Sequence, residues 1–473
     1  PRQRLRRMAV ELAARHDGDS NAQDMERLAI GVASNQTRRT KTRQLLVDIS
    51  ELVRRDAKSG IQRVVRSILM QLLMEPPAGY RVEPVYSEPG NRYRYARHFT
   101  AGFLGLGSLS LADDVVDAEA GDILLGIDLA LEEVPANINQ YRTMRDKGVA
   151  VYFVVYDLLP LILADHFPPH AYGLFSRWLE TLATVGNGAL CISKSVADEL
   201  LDHLDAFRPK RSDAFRIGYF HLGADIDSSI PTIGIGAQEA SGLSILSGMR
   251  VLLMVGTIEP RKGHAQVLDA FDELCSRNSE VALALVGKPG WMTNSLADRI
   301  RSHPQAGKRL FWFEGASDEL LARLYAVAQA LLVPSKGEGF GLPLIEAAQH
   351  GLPIICRDLP VFREIAGDGA TYFSGSSGAV LADVIERWMA LRPQEIPSSA
   401  NIPRITWRQS KDQLVELIMG DRWLASWDNR RGYSFPAYDQ GILVEAGSRE
   451  TGGIHTQGRA GMLLACKASC VRA

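Results

Sequence analysis

Cysteine and long apolar runs are both scarce in this sequence of 473 residues. The 5 cysteines are scattered, at Cys191, Cys275, Cys356, Cys466 and Cys470. Scattered cysteines do not form a disulfide framework, so we expect reduced thiols and an intracellular protein. Cys466 and Cys470 have a C-x3-C spacing without nearby histidines, and we therefore predict no metal site.

The longest apolar stretch, 149–164, is interrupted by Asp157 and Pro160. A helix that crosses a bilayer needs about 20 apolar residues, so this stretch is interpreted as a buried strand followed by a loop. The N-terminus is rich in arginine but lacks the apolar segment of a secretory signal. It begins at Pro1, which leaves open that the chain is one module of a larger polypeptide.

No charge of either sign predominates, because 53 Lys and Arg face 55 Asp and Glu, a formal net charge of -2. A general nucleic-acid binder usually has a basic excess, so that class of protein is disfavoured. Hydrophobic residues make up 46% and charged residues 23%, an ordinary balance for a chain that buries a core. The sequence also lacks the HExxH, Walker A and serine-elbow motifs of several enzyme classes.

From residue 44 onward, short apolar runs alternate with segments of helical spacing. The predicted strands are 44–49, 81–86, 122–127, 149–155, 189–192, 217–222, 250–255, 281–286, 310–313, 330–333 and 353–356. The predicted helices are 61–74, 169–182, 194–204, 264–274, 317–328, 344–350, 380–391 and 405–419. This order predicts an α/β protein with two doubly wound, mostly parallel sheets.

The alternating pattern also predicts where the domains begin and end. They are an N-terminal extension or linker at 1–42, a first Rossmann-like domain at 43–228, a linker at 229–247, a second Rossmann-like domain at 248–420, and a tail or partial β module at 421–473. Two such domains leave a cleft between them. Ligands of these sheets lie beyond the carboxyl ends of the strands, so the loops that follow strands are the candidates for chemistry.

The loop that carries the strongest signal follows the strand at 330–333. Gly337, Gly339 and Gly341 let the backbone approach a ligand closely, and Pro343 suits the first turn of the next helix. The N–H groups at the start of that helix favour an anion. The loop therefore predicts a cradle for a phosphate or a sugar.

Two carboxylates flank this cradle, Glu338 in the turn and Glu346 on the helix. A carboxylate repels a phosphate, so we expect these two to accept hydrogen bonds from the hydroxyls of a sugar or a ribose. The alternative is a tight turn with solvated glutamates.

A second loop, 256–263, ends with Arg261 and Lys262 at the start of a helix. Cations at this position oppose the helix dipole, and a bound anion offsets that cost. A diphosphate has enough charge to need such a pair. The alternative is a pair of surface cations.

Four positions in the first half are less decisive. Asp157 follows a strand, where a functional role competes with turn capping. Arg63 points either into the cleft or to solvent, after Gly60 opens its helix. Ser193 is expected to cap a helix, and His221 fits a packed core histidine as well as a ligand contact.

The spacing of Glu338 and Glu346 resembles the E-x7-E motif of retaining glycosyltransferases of family 4. "LLVPSKGEGFGLPLIEAAQHGLPII" is similar to that family's donor-site strand, loop and helix, and "VGTIEPRKGH" resembles its diphosphate loop. "LLVDISELVRRDAKSGIQRVVRSIL", "VVYDLLPL" and "HLGAD" are similar to members that build mannose-containing bacterial surface polysaccharides. The resemblance covers roughly residues 44–420. It implies the GT-B fold, transfer with retention, and no metal or other cofactor.

The resemblance also implies roles for individual residues. Glu338 and Lys262, assisted by Arg261, are the catalytic candidates, with the cations on the diphosphate and Glu338 on the sugar. Glu346 is expected on the ribose hydroxyls. The other expected donor contacts are Gly60, Gly256, Thr257, Gly339, Phe340, Gly341 and Leu342.

The sequence departs from this family's common pattern at two positions. Thr257 stands where many members have Arg, and Tyr156 stands where many have His. Arg261 is the candidate replacement for the first. Asp157 is the nearest candidate for the role that the histidine would have beside the reacting carbon, and we count it among the catalytic candidates.

The resulting hypothesis is a cytoplasmic hexosyltransferase of O-antigen-type polysaccharide synthesis, working at the inner face of the membrane as a peripheral protein. The resemblance favours GDP-mannose as donor and a growing glycan or lipid-linked saccharide as acceptor, with no nucleic acid as partner. Two alternatives stay open: a GT-B nucleotide-sugar epimerase and a non-catalytic sugar-binding module.

Overall fold

The computed structural model describes residues 42–56, 59–106, 112–224, 234–428 and 432–434. The predicted N-terminal extension, most of the predicted tail, and Cys466 and Cys470 lie outside these residues. Both sheets lie in one compact unit that begins at Gln44, as far as the described residues extend.

The first sheet holds nine strands within the described residues, in the order β15-β14-β7-β6-β5-β4-β1-β2-β3. Its strands are β1 Arg43–Asp48, β2 Tyr80–Tyr86, β3 Arg94–Tyr95, β4 Ile123–Gly126, β5 Ala150–Val155, β6 Gly188–Cys191, β7 Phe215–Tyr219, and, near the C-terminus, β14 Ala425–Asp428 and β15 Gly432–Ser434. The central ladder from β1 through β4, β5 and β6 to β7 is parallel. The partners of β14 are antiparallel.

The second sheet has the order β10-β9-β8-β11-β12-β13 and is parallel throughout. Its strands are β8 Arg250–Val255, β9 Val281–Val286, β10 Leu310–Phe313, β11 Ala328–Val333, β12 Ile354–Arg357 and β13 Thr371–Phe373. Strands such as β9, VALALV, are buried along their whole length. Apolar residues at every position fit a parallel sheet covered by helices on both faces.

Helices connect the strands of both sheets. They are α1 Ser50–Arg54, α2 Gly60–Met74, α3 Arg97–Phe103, α4 Glu133–Ala136, α5 Ile138–Asp146, α6 Leu159–Ile162, α7 Ala171–Val185, α8 Lys194–Phe207, α9 Ala237–Leu246, α10 His264–Ser276, α11 Asn294–Arg301, α12 Asp318–Val327, α13 Leu342–Gln349, α14 Pro360–Ala366, α15 Gly378–Met389 and α16 Trp407–Met419. No helix in the described ranges is both long enough and apolar enough to cross a membrane.

The predicted strands and helices are all present, with bounds that differ by a few residues. The predicted linker at 229–247 differs, because it contains α9. The N–H of Gly236 donates to Glu239 Oε2 (2.8 Å) at the start of this helix. Alanine, serine and glycine give α9 only a weak apolar periodicity, so the sequence did not predict this helix.

The C-terminal segment crosses back to the first sheet. The helix α16, which the sequence assigned to the second domain, packs against α2 and β7. The strand β14, at the start of the predicted tail, then pairs with β7. Buried Trp427 anchors it by donating from Nε1 to Asp205 Oδ1 (2.8 Å). The first domain is therefore completed by residues that follow the second.

Candidate functional site

The loops after β8 and β11 meet at the carboxyl edge of the second sheet because these two strands are neighbours. The β11 loop needs glycine at two positions. Gly341 has φ +99°, a conformation that side chains disfavour. A Cβ on Gly339 would lie 2.0 Å from the carbonyl oxygen of Tyr156 in the first domain. Glycine at 339 thus lets the two domains approach each other.

Glu338 lies at the centre of an ion-paired cluster. Lys262 Nζ donates to its Oε1 at 2.5 Å, and Arg261 Nη1 lies 3.4 Å from its Oε2. Ser335 Oγ also donates to Oε1 (2.8 Å). Each of the three charged side chains is no more than 15% exposed. The sequence-predicted cations and carboxylate therefore form one cluster rather than separate surface charges.

This cluster holds Glu338 ionised. Burial by itself would raise the pKa of Glu338, but Lys262 and Arg261 lower it to about 2. Burial also works against the charge of Arg261, but Glu338, Glu259 and Asp157 raise its pKa. Glu259 Oε2 lies 2.9 Å from Arg261 Nε. Carboxylates thus balance the charges of the two cations and hold them in place. An anionic ligand that replaced these carboxylates would meet cations that are already positioned.

Asp157 lies beside this cluster, at the end of β5. Its Oδ1 accepts a hydrogen bond from the N–H of Leu159 (3.0 Å), so it does cap the turn that was weighed in the sequence. Burial raises its pKa, and the charge of Arg261 opposes that rise. The neighbouring Tyr156 donates its hydroxyl to the Ile127 carbonyl (2.6 Å), away from the loop that holds Glu338. Asp157 therefore combines a structural bond with proximity to the cations.

Glu346, on α13, is bound from both domains. Tyr325 donates its hydroxyl to Oε2 (2.9 Å), and Arg63 Nη1 donates to Oε1 (2.7 Å). Arg63 lies on α2, so its side chain points into the cleft and not to solvent. A ribose that hydrogen-bonds to Glu346 would share this carboxylate with Arg63.

The other predicted donor contacts, apart from Gly60 in the first domain, lie in the loops after β8 and β11 or at the start of α13. Gly256 lies near Lys262, since a Cβ on it would be 3.9 Å from Lys262 Cε. Thr257 is exposed at the sheet edge, and Leu342 begins α13 half-buried. Phe340 is buried, with its ring 5.7 Å from that of His221. Gly60 starts α2 with open space beside it.

Two serines at the start of α8 join the domains, together with a carboxylate that the sequence analysis missed. Ser193 Oγ donates to the carbonyl of Gly339 (2.7 Å) in addition to capping α8. Glu364, on α14, accepts from Lys194 N (2.7 Å), Ser195 N and Ser195 Oγ (both 2.8 Å). His221 Nε2 lies 2.8 Å from Glu364 Oε1. We call this set, Glu364 with 194, 195 and 221, the interdomain latch.

We expect Glu364→Ala to shift the protein toward a more open arrangement of the two domains. Hydrogen bonds to a charged group contribute about 1.5–3 kcal/mol each, and the variant removes several of them. Small-angle X-ray scattering should then give a larger radius of gyration. Glu386→Ala is the matched control, because Glu386 lies on α15 and forms an exposed ion pair with Arg277. This variant should have the radius of gyration of the wild type. An unchanged radius for Glu364→Ala would show that the latch does not hold the domains together.

Comparison with known proteins finds a family match in the second domain and a relative over most of the chain. Residues 241–401 match the family model of glycosyl transferases group 1. Over 392 residues, 82% of the chain, the sequence is 44% identical to the serotype-specific mannosyltransferase WbdA of Escherichia coli. The match covers 46% of that relative, so the chain spans about half its length.

Solved structures agree on the fold. A UDP-glucose complex of Anabaena Alr3699/HepE aligns with 80% of this chain and 99% of its own, with a TM-score of 0.55 at 13% identity. A glycosyltransferase from Rickettsia africae aligns over the same shares with a TM-score of 0.53 at 12% identity. Together with the two mostly parallel sheets, these likenesses confirm the predicted GT-B fold.

Proposed function

We propose that this chain, whose residues 241–401 match the family model of glycosyl transferases group 1, moves a hexose from a nucleoside diphosphate sugar to a saccharide acceptor. The ion-paired cluster of Lys262, Arg261 and Glu338 carries this proposal. Mannose is the favoured sugar and GDP the favoured carrier, supported by the similarity to a mannosyltransferase. The acceptor is a growing glycan or lipid-linked saccharide of a bacterial surface polysaccharide.

The charges of the site suit the departure of a nucleoside diphosphate. Negative charge grows on the diphosphate as the bond to the sugar breaks, and Lys262 and Arg261 can neutralise it. The N–H groups at the start of α13 add to this effect. Because these groups are held in place before the reaction, their reorganisation costs little.

The spacing of Glu338 and Glu346 supports a retaining enzyme of family 4. In such a reaction a β-phosphate oxygen accepts the proton of the acceptor hydroxyl, on the face that the diphosphate leaves. No protein base is then required. The free thiols of Cys191, Cys275 and Cys356 fit the reducing cytoplasm as the place of this reaction. A lipid-linked acceptor would bring the protein to the inner face of the membrane.

A panel of nucleotide sugars tests the proposal. A donor at 100 times its dissociation constant should stabilise the protein by about 2.7 kcal/mol, which thermal shift detects. The stabilising donor, incubated with a mannoside acceptor, should give a longer saccharide whose new bond keeps the donor's anomeric configuration. An inverted product would contradict retention. Conversion of the donor to an epimer without an acceptor would favour the epimerase instead.

We expect transfer to continue without a divalent metal. The reason is that Lys262 and Arg261 supply the positive charge that a metal ion would otherwise bring to the diphosphate. Transfer should have the same rate in EDTA as in buffer with added Mg²⁺ or Mn²⁺. Activity that vanishes in the chelator and returns with the metal would contradict this prediction.

A further inference from the structure

A small pocket opens on the first-domain side of Glu338. Its volume is about 80 Å³. Glu199 on α8 lines it, together with Leu159, Ile162, Leu163, Lys336, Gly337, Glu338, Leu359, Pro360 and Val361. Pockets that hold a whole drug-sized ligand measure about 300–1,000 Å³, so this pocket takes one edge of a sugar ring and not a nucleotide sugar.

Glu199, which lines this pocket, has a side-chain oxygen whose hydrogen-bonding capacity is unmet. Its Oε2 is buried and has no hydrogen-bond partner among the described residues. A buried polar atom without a partner is energetically unfavourable, and a hydrogen bond from a ligand hydroxyl would relieve this cost. Burial and the charges of Asp157, Asp198 and Asp202 raise the pKa of Glu199 to about 7. Near neutral pH, Glu199 is therefore present in both protonation states, and it can donate to a hydroxyl or accept from one.

The walls of the pocket complement the same kind of ligand. Leu159, Ile162 and Leu163 form an apolar side in the first domain, and Leu359 and Val361 face them from the second. Binding sites for small molecules combine apolar walls with a few polar groups that set orientation. A sugar ring has both surfaces, with C–H groups on its faces and hydroxyls along its edge.

We propose that this pocket binds the terminal sugar of the acceptor and that Glu199 hydrogen-bonds one of its hydroxyls. The proposal rests on the proposed function, in which Glu338 contacts the transferred sugar. A ligand that lies between Glu199 and Glu338 is next to the carbon that receives the acceptor. Glu199 is then a determinant of acceptor binding that contributes nothing to the nucleotide.

Kinetics with methyl α-D-mannopyranoside as acceptor and GDP-mannose as donor test the pocket. Glu199→Leu should raise the KM for the mannoside at least 10-fold. Hydrolysis of GDP-mannose by water and affinity for GDP should stay within twofold of wild type. Glu199→Gln keeps a group that hydrogen-bonds a hydroxyl and should recover most of the lost affinity. Glu280→Leu, at an exposed carboxylate just before β9 in the second domain, is the control and should keep the wild-type KM.

The possible outcomes distinguish failure of the acceptor pocket from failure of the proposed glycosyltransferase function. A folded Glu199→Leu variant with the wild-type KM for the mannoside would overturn the pocket and leave the glycosyltransferase intact. Loss of GDP affinity in that variant would also overturn it, because Glu199 would then belong to the donor site. Wild-type protein that binds no nucleotide sugar and transfers none would overturn the proposed function and the pocket with it.

Discussion

Lys262→Ala should lower the rate of transfer about 30- to 1000-fold and change the folding stability little. Lys262 Nζ lies 2.5 Å from Glu338 Oε1, closer than Arg261, and it belongs to the loop that we propose binds the diphosphate. Loss of one preorganised charge that stabilises a leaving group costs roughly 2–4 kcal/mol of barrier, which gives this range of rates. Glu338 keeps the hydroxyl of Ser335 and the charge of Arg261, so the fold should tolerate the change.

The measurement compares turnover and thermal unfolding of the purified variant with those of wild type. Lys288→Ala is the matched control, since Lys288 is an exposed lysine in the loop after the neighbouring strand β9. It should keep wild-type turnover. A folded Lys262→Ala protein that transfers as fast as wild type would remove Lys262 from the mechanism.

The sequence predicted the two loops separately, and their meeting depends on strand order. Lys262 follows β8 and Glu338 follows β11, and these strands are adjacent in the second sheet. A β-α-β pattern predicts parallel strands but does not specify which strands pair. The resemblance supplied that information, and the fold that it implied is the one observed.

The residues that sequence reasoning missed act across the cleft. Glu364 contacts the start of α8, about 170 positions earlier in the chain. No local sequence pattern predicts a contact between residues so far apart. Arg63 could not be assigned for the same reason, because its partner Glu346 is 283 residues away. Glu199 lies on an ordinary amphipathic helix, where charged residues normally face solvent. Only the approach of the second domain gives these side chains a functional environment.

The cross-cleft contacts also suggest how donor binding is linked to closure. Glu346 forms an ion pair with Arg63 of the first domain, and Glu338 pairs with Lys262 of the second domain. A diphosphate competes with Glu338 for Lys262, whereas a ribose hydroxyl can add to Glu346 beside Arg63. The two glutamates should therefore respond differently to the same substitution.

Glu338→Gln should lower turnover roughly 100-fold and leave binding of GDP intact or tighter. In the proposed function this carboxylate contacts the transferred sugar, and GDP alone lacks that sugar. Removal of the negative charge also frees Lys262 and Arg261 for the diphosphate. Glu346→Gln should instead weaken GDP binding about 10-fold or more, since a carboxylate that holds the ribose acts on every ligand that contains it.

Calorimetry with GDP alone separates these two roles. Glu346→Gln also disturbs the ion pair with Arg63. Arg63→Met is therefore measured as well, because it breaks this ion pair but keeps the carboxylate of Glu346. GDP affinity in Arg63→Met should stay closer to wild type than in Glu346→Gln. If both substitutions weaken GDP equally, the ion pair and not a ribose contact explains the loss. If Glu338→Gln alone loses GDP, the roles of the two glutamates are reversed.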